Sequence, residues 1–321
     1  MNENRSKSQL HSLFLNELDS KIAIGEFLNK RNPVIVVEGI LDSKIFASIR
    51  IRHGPEIVSI EDLISNTIIH NGERNKMKSV KDLVRIVRKK LCENGFENVI
   101  GIQDCDLDSV IQWFKTNDFK LQNKSKGLFQ TFPSRDIETM LYSQLSESSK
   151  FVEGFPVRFE DCIERSIVLA VIGISINIFN QSSKISHLGL SKFSNDKKKN
   201  LENYFLICEN DEKLLAEFAK FHDNILDENL LEKLTKTVSE VKIKLDRSNL
   251  TWPEIIRGHD LESLLVNFNK LGVENQYISD IKNRLHAILV ELVDYESLNS
   301  HQMFKMIDDW RVEKELPELF A

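Results

Sequence analysis

The chain is 321 residues long, with a formal net charge of −6 and a pI near 5.8, long enough for two domains that each bury a core. The acidic balance excludes a surface that binds polyanions over its whole extent, so contact with nucleic acid has to come from local basic patches. The four cysteines, Cys92, Cys105, Cys162 and Cys208, have no paired spacing, which argues against a disulfide framework and against a zinc site.

Met1-Asn2-Glu3-Asn4-Arg5 lacks a secretory apolar region. From about Ser8 to Asn29 the apolar residues Leu10, Leu13, Phe14, Leu18, Ile22, Phe27 and Leu28 recur at helical spacing, predicting a leading amphipathic helix over residues 1–32. Pro33 ends it and opens a strand, Val34-Ile35-Val36-Val37, that stops abruptly at Glu38-Gly39. A short helix is predicted from Ser43 to Ile51, with Ile45, Phe46 and Ile49 inward. A strand-like segment at Thr67-Ile68-Ile69-His70 closes at Asn71-Gly72. Ser79 to Asn94 reads as a helix with Val80, Leu83, Val84, Val87 and Leu91 on one face. Its other face is basic, with Lys81, Arg85, Arg88, Lys89 and Lys90, and Gly95 is its C-terminal cap. The next strand, Val99-Ile100-Gly101-Ile102-Gln103, runs into Asp104-Cys105-Asp106-Leu107-Asp108. Leu128 to Phe132 is a fourth strand, stopped by Pro133.

Strand and helix alternate up to about residue 150, an α/β signature. Beyond it nearly everything reads as helix: Phe159 to Asn180, Asn200 to Cys208, Asp211 to Phe221, Leu226 to Leu245, Leu261 to Leu271, Tyr277 to Val293 and His301 to Arg311. Ser182 to Lys199 is polar, with Lys197-Lys198-Lys199, and reads as a loop. Ile167 to Phe179 is the most apolar stretch. It is broken by Gly173, Ser175 and Asn177 and is shorter than the roughly 20 residues a membrane span needs, so it reads as a buried core helix, of a monomer or of a dimer. The expected organisation is a leading helix over 1–32, an α/β domain over 33–150 and a helical domain over 151–321, in a cytoplasmic protein without membrane contact.

Two apolar runs that end in carboxylates carry the chemistry. Uninterrupted apolar strands are buried on both faces, as in a parallel sheet, and ligands of open α/β sheets bind beyond the carboxyl ends of the strands. Glu38 and the Asp104/Asp106 pair should therefore meet on one sheet edge. Converging carboxylates repel each other, and a hard divalent cation neutralises them. An EF-hand is excluded, because its sixth and twelfth positions would be Ser109 and Lys115 rather than Gly and Glu. A phosphatase-type nucleophile at Asp104 is an alternative that the Glu38 strand disfavours. Asp42 reads equally as a metal ligand or as a helix N-terminal charge, and Asp136 and Glu138 as site residues or as the start of a helix. Asp108 serves as a ligand or as a cap. Gly72 suits any turn, His259 a structural role, and Cys105 a small buried filler.

In their order, Val-Val-Glu38-Gly, His-Asn-Gly72 and Asp104-Cys-Asp106 resemble a TOPRIM domain, the metal-binding α/β domain of topoisomerases, DnaG-type primases and OLD-family nucleases. The resemblance covers residues from about 33 to 145. Pro133-Ser134-Arg135-Asp136-Ile137-Glu138-Thr139-Met140-Leu141, Arg257-Gly258-His259-Asp260-Leu261 and the helical second half resemble a bacterial family that includes the TOPRIM effector of PARIS-type anti-phage systems. There the effector is held by an ABC-type ATPase until a phage trigger is sensed. The fold so implied is a Rossmann-like TOPRIM sheet followed by an all-helical C-terminal domain. The activity implied is Mg²⁺- or Mn²⁺-dependent hydrolysis of RNA, transfer RNA included, or DNA, by an effector toxic to its host. Glu38, Asp104 and Asp106 would be catalytic and hold the metal, with Asp42, Asp108 and Glu138 assisting and Lys44, Lys78 and Arg135 facing phosphate. A different class of reading is a partner-binding subunit, silent until released from its ATPase or until it forms a homodimer. The absence of a Walker sequence excludes P-loop ATP hydrolysis by the chain itself. A degenerate TOPRIM scaffold is a third reading, disfavoured by the intact Glu and Asp residues.

Overall fold

The computed structural model describes residues 15–16, 18–20, 32–52, 54–65, 80–105, 107–117, 127–146, 159–183, 188–197, 204, 206–268 and 278–321. The strand expected at Thr67 to His70, the turn at Gly72, most of the leading helix, Lys78 and Asp106 lie outside these residues. The chain groups into two compact units. One comprises Met1–Asp104, Gln122–Thr131 and His286–Ala321, and the other Cys105–Leu121 and Phe132–Leu285.

The first unit is built on a four-stranded sheet in the order β2-β1-β3-β4, with all pairs parallel. Its strands are β1 (Val34–Val37), β2 (Glu56–Ser59), β3 (Val99–Gln103) and β4 (Leu128–Gln130). Every residue of β1 is buried, as a strand covered on both faces requires. Side chains alternate along a strand. Val34 and Val36 therefore share a core cluster with Leu83, Val84, Val87 and Leu91, the apolar face of the helix Val80–Glu93. That helix ends at Gly95, whose φ of +88° suits a residue without Cβ. The Phe96 N–H returns to the Leu91 carbonyl (3.1 Å) and closes the last turn. Its basic face is bound within the protein. Arg85 pairs with Asp82 (2.9 Å), Lys89 with Glu93 (3.6 Å) and Lys90 with Asp19 (3.1 Å), and Arg88 Nε donates to the Val99 carbonyl (3.1 Å).

β2 is the strand that sequence reading missed. It has four residues and passes straight into the helix Ile60–Ser65 with no turn residue to mark its end. The helix α1 (Ile40–Ile49) buries Ile45, Phe46 and Ile49 as expected. Phe46 stacks against Phe304 and Phe320, at centroid distances of 5.9 and 5.8 Å. The stretch near 320 runs antiparallel to the chain after α1, with Ile51 N–H on the Leu319 carbonyl (3.2 Å) and Ala321 N–H on that of Ile49 (2.9 Å). At the far edge, Trp310 meets Phe129 of β4 edge to face, with ring centroids 6.5 Å apart, covering an edge that would otherwise invite another strand.

Gly101 sits in β3 where a Cβ would lie 2.7 Å from Leu128 Cδ2 and 2.9 Å from Val84 Cγ1. Gly101→Ala is expected to cost about 1–3 kcal/mol by overpacking, read as a lower urea midpoint at unchanged slope.

His301 caps the helix Gln302–Glu313 by accepting the Met303 N–H at Nδ1 (3.2 Å). Burial, helped by repulsion from Lys305, holds its pKa down to about 4 against an ordinary 6.5. Between these values the unfolded chain takes up a proton that the folded chain refuses, so this residue lowers stability as the pH falls from 6.5 towards 4. His301→Asn, which keeps a cap, should show a smaller loss of thermal midpoint over that window than the wild type. Parallel curves would overturn this assignment.

The second unit is helical around the long helix Phe159–Ser183. That helix is the one described segment long and apolar enough to cross a membrane, and 56 % of its most apolar stretch is buried inside the protein. It packs against the helices Asp211–Phe221, Glu228–Asp246 and Gly258–Phe268, as a core helix does. The loop expected between Ser182 and Lys199 is corrected in part: Leu190–Lys197 is a helix. Its polar sequence hides an anchor, Phe193, fully buried against Phe218 and Phe221 at 5.7 Å from each.

Candidate functional site

In the order β2-β1-β3-β4, the neighbours of β1 lie on opposite sides, so the crossover direction reverses between β1 and β3. The crevice at such a reversal, beyond the carboxyl ends of the strands, is where open α/β sheets bind ligands. Glu38 directly follows β1 and Asp104 directly follows β3. The Asp104 N–H donates to Glu38 Oε1 (3.0 Å), which lays the Glu38 carboxylate across that crevice. The ends of β1 and β3 thus meet, as expected, through the Asp104 backbone and the Glu38 carboxylate, while the Asp106 part of the expectation lies outside the described residues.

Two further carboxylates stand at the same sheet edge. Asp42 Oδ2 accepts the Gly39 N–H (2.8 Å) at the start of α1, so the helix N-terminal role read for Asp42 is present. Glu61 was not singled out from sequence. Its N–H donates to the Glu38 carbonyl (3.2 Å), and its Oε2 accepts the Ile40 N–H (3.4 Å). The signal for it was available: Ile57-Val58-Ser59-Ile60-Glu61-Asp62 is a third apolar run ending in acids. Backbone N–H groups and the positive end of α1 offset part of the repulsion among these groups. Lys44 is exposed on α1.

Comparison with protein-family models, with curated proteins and with solved structures found no match.

The donor set at this edge consists of hard carboxylate oxygens, which suits a cation that takes one or two carboxylates and completes its shell with water and phosphate oxygens. Among the described residues no three His, Cys, Asp or Glu side chains stand close enough together to hold a metal unaided. Asp106, the remaining ligand expected from sequence, lies outside those residues, and Asp108 is described as backbone only, in the first turn of the helix Leu107–Thr116.

The Pro133-to-Leu141 stretch belongs to the second unit and is built as expected for a helix start. Asp136 caps the helix Ile137–Leu145, its Oδ1 accepting the Thr139 N–H (2.8 Å). Its Oδ2 accepts the Gly258 N–H (2.8 Å) at the start of the helix Gly258–Phe268. Buried Glu138 lies with its Oε1 3.7 Å from His259 Nδ1, and Glu262 Oε2 is at the same distance from that nitrogen. Glu262, and behind it Glu138 and Asp136, raise the His259 pKa to about 9 against the opposing effect of burial. His259 is thus a cation balancing buried carboxylates, in line with a structural role. Cys105 is buried and forms no disulfide.

Proposed function

We propose that the chain is a metal-dependent nuclease of TOPRIM type, hydrolysing phosphodiesters of RNA, with transfer RNA as one target, or of DNA. The observation that carries this reading is the Glu38–Asp104 contact across the β1/β3 crevice. An acidic edge at a sheet's ligand-binding position repels a polyanion unless a cation intervenes. Glu38 and Asp104, with Asp106, would hold Mg²⁺ or Mn²⁺, and Asp42, Asp108 and Glu138 remain candidates to assist. The bound cation would supply charge neutralisation for the phosphate and a water acidic enough to attack it. In the chain's own part of the reaction, Glu38, which accepts the Asp104 N–H, would either complete the metal site or take the proton of the attacking water. Lys44, Lys78 and Arg135 are the proposed phosphate-facing cations.

The test is incubation of the purified chain with transfer RNA, total RNA and duplex or single-stranded DNA, with Mg²⁺, Mn²⁺ or EDTA. Cleavage of one substrate class that needs metal and Glu38 is expected. Intact nucleic acid under every condition would overturn the reading for the isolated chain.

One observation favours a second reading. Arg85, Lys89 and Lys90 of the helix Val80–Glu93 pair with carboxylates of the chain itself, which lowers the net positive charge of that face. A partner-binding subunit, held by an ABC-type ATPase or completed by a second copy, would gain that surface on assembly. Cleavage that appears only on co-expression with such an ATPase, or only in a dimer fraction, distinguishes it.

A further inference from the structure

The second unit contains a cavity of about 270 Å³ whose wall includes Arg135, Arg257, Asp260 and Asn177 beside the apolar Leu169 and Ile176. Arg135 is only 6 % exposed. Its Nη1 donates to the Ile255 carbonyl (3.1 Å), and its Nε has no hydrogen-bond partner among the described residues. The adjacent carboxylate does not supply one, because Asp136 is committed to the Thr139 and Gly258 N–H groups.

A buried guanidinium remains charged, and a buried charge is costly to keep unless its hydrogen-bonding groups are satisfied. Burial lowers the Arg135 pKa and the nearby Arg257 charge lowers it further, while Asp136 and Asp260 pull it back up in part. Two like charges thus converge on one cavity, with Asp260 as the single carboxylate in its wall. Arg257 is exposed, and its backbone carbonyl receives the Asp260 and Leu261 N–H groups (3.0 and 3.1 Å), so its side chain is not needed for that turn. Asn177 Nδ2 is committed to the Gly173 carbonyl (2.8 Å), which leaves its amide oxygen as an acceptor. A planar fork such as Arg135 matches an oxyanion, and the volume lies below the roughly 300–1,000 Å³ of drug-sized sites.

We infer that this cavity binds a small organic oxyanion, a phosphate or carboxylate monoester-sized ligand, with its anionic group between Arg135 and Arg257 and its body along Leu169 and Ile176. The inference shares only Arg135 with the nuclease reading and uses no residue of the Glu38–Asp104 crevice, since its residues all lie in the helical unit.

The test uses the full chain in EDTA, which removes metal-held phosphate from view, and titrates inorganic phosphate, adenosine monophosphate and succinate by calorimetry. Saturable binding of one molecule per chain by at least one probe is expected, unchanged in Glu38→Ala. The probe that binds tells phosphate from carboxylate. Arg257→Ala should weaken binding about 10-fold or more, as loss of a charge-assisted contact does. Gly173→Leu should abolish it by filling the cavity. Among the described residues a Cβ at Gly173 meets only Leu190 Cδ2, at 3.4 Å, so the helix backbone can carry a side chain there. Circular dichroism of both variants should match the wild type. No saturable binding by any probe, or binding unchanged in both variants, overturns the inference.

Discussion

Glu38→Gln is expected to lower metal-dependent cleavage by about 10²–10⁴-fold, the usual contribution of a positioned general acid or base, while the protein stays folded. Gln keeps an oxygen where Glu38 Oε1 accepts the Asp104 N–H, so the β1/β3 crevice keeps its shape. What goes is the negative charge, and with it both roles proposed for Glu38, cation binding and proton acceptance. Glu38→Ala removes the acceptor as well and should cut no better. The measurement is initial cleavage rate on the responsive substrate across a Mg²⁺ titration, with thermal midpoints alongside. A Gln variant that cleaves at the wild-type rate would show the crevice to be a structural junction and would sink the nuclease proposal at this site.

Asp136→Ala is expected to destabilise the second unit by about 3–5 kcal/mol, because it strands two buried N–H donors at once. One carboxylate starts two helices here, through Thr139 N and Gly258 N, each at 2.8 Å. An ordinary N-cap loss costs about 0.5–2 kcal/mol, and the excess measures the second helix. Asp136→Asn keeps one good acceptor and should fall between, at about 1–3 kcal/mol. Gly258→Ala probes the same junction from the other side. A Cβ there would stand 2.3 Å from Glu138 Cβ and 2.6 Å from Asp136 Oδ1, so the two helix starts must separate. Urea midpoints at constant slope report all three variants. An Asp136→Ala loss no larger than a single cap would mean that the Gly258 contact contributes nothing.

The strands that carry Glu38 and Asp104 were legible because each is buried on both faces, which leaves an unbroken apolar run with an abrupt acidic end. Their adjacency was inferred from the general behaviour of parallel sheets, and the Glu38–Asp104 hydrogen bond bears it out. β2 was illegible because its outer position leaves Glu56 and Ile57 only half-buried, so its pattern is short and mixed. Glu61 was lost with it. The Leu190–Lys197 helix was hidden for a related reason: one buried aromatic, Phe193, anchors a segment that is otherwise polar. The role of Arg135 had no sequence signal beyond its place in a motif. Its Nε is left without a hydrogen bond among the described residues because Asp136, its neighbour in the chain, turns to Gly258, far away in sequence.

The aromatic contact between Phe46 and residues Phe304 and Phe320 sets a timetable for synthesis. The four described strands have left the ribosome once Gln130 has emerged, yet the rings and carbonyls that pack after α1 arrive nearly two hundred residues later. At translation speeds of about 5–20 residues per second, that is a wait of roughly 10–40 s. Through that interval the Phe46 flank has no native cover. A nascent-chain arrest series should find the sheet unit protease-sensitive until residues near 320 clear the exit tunnel.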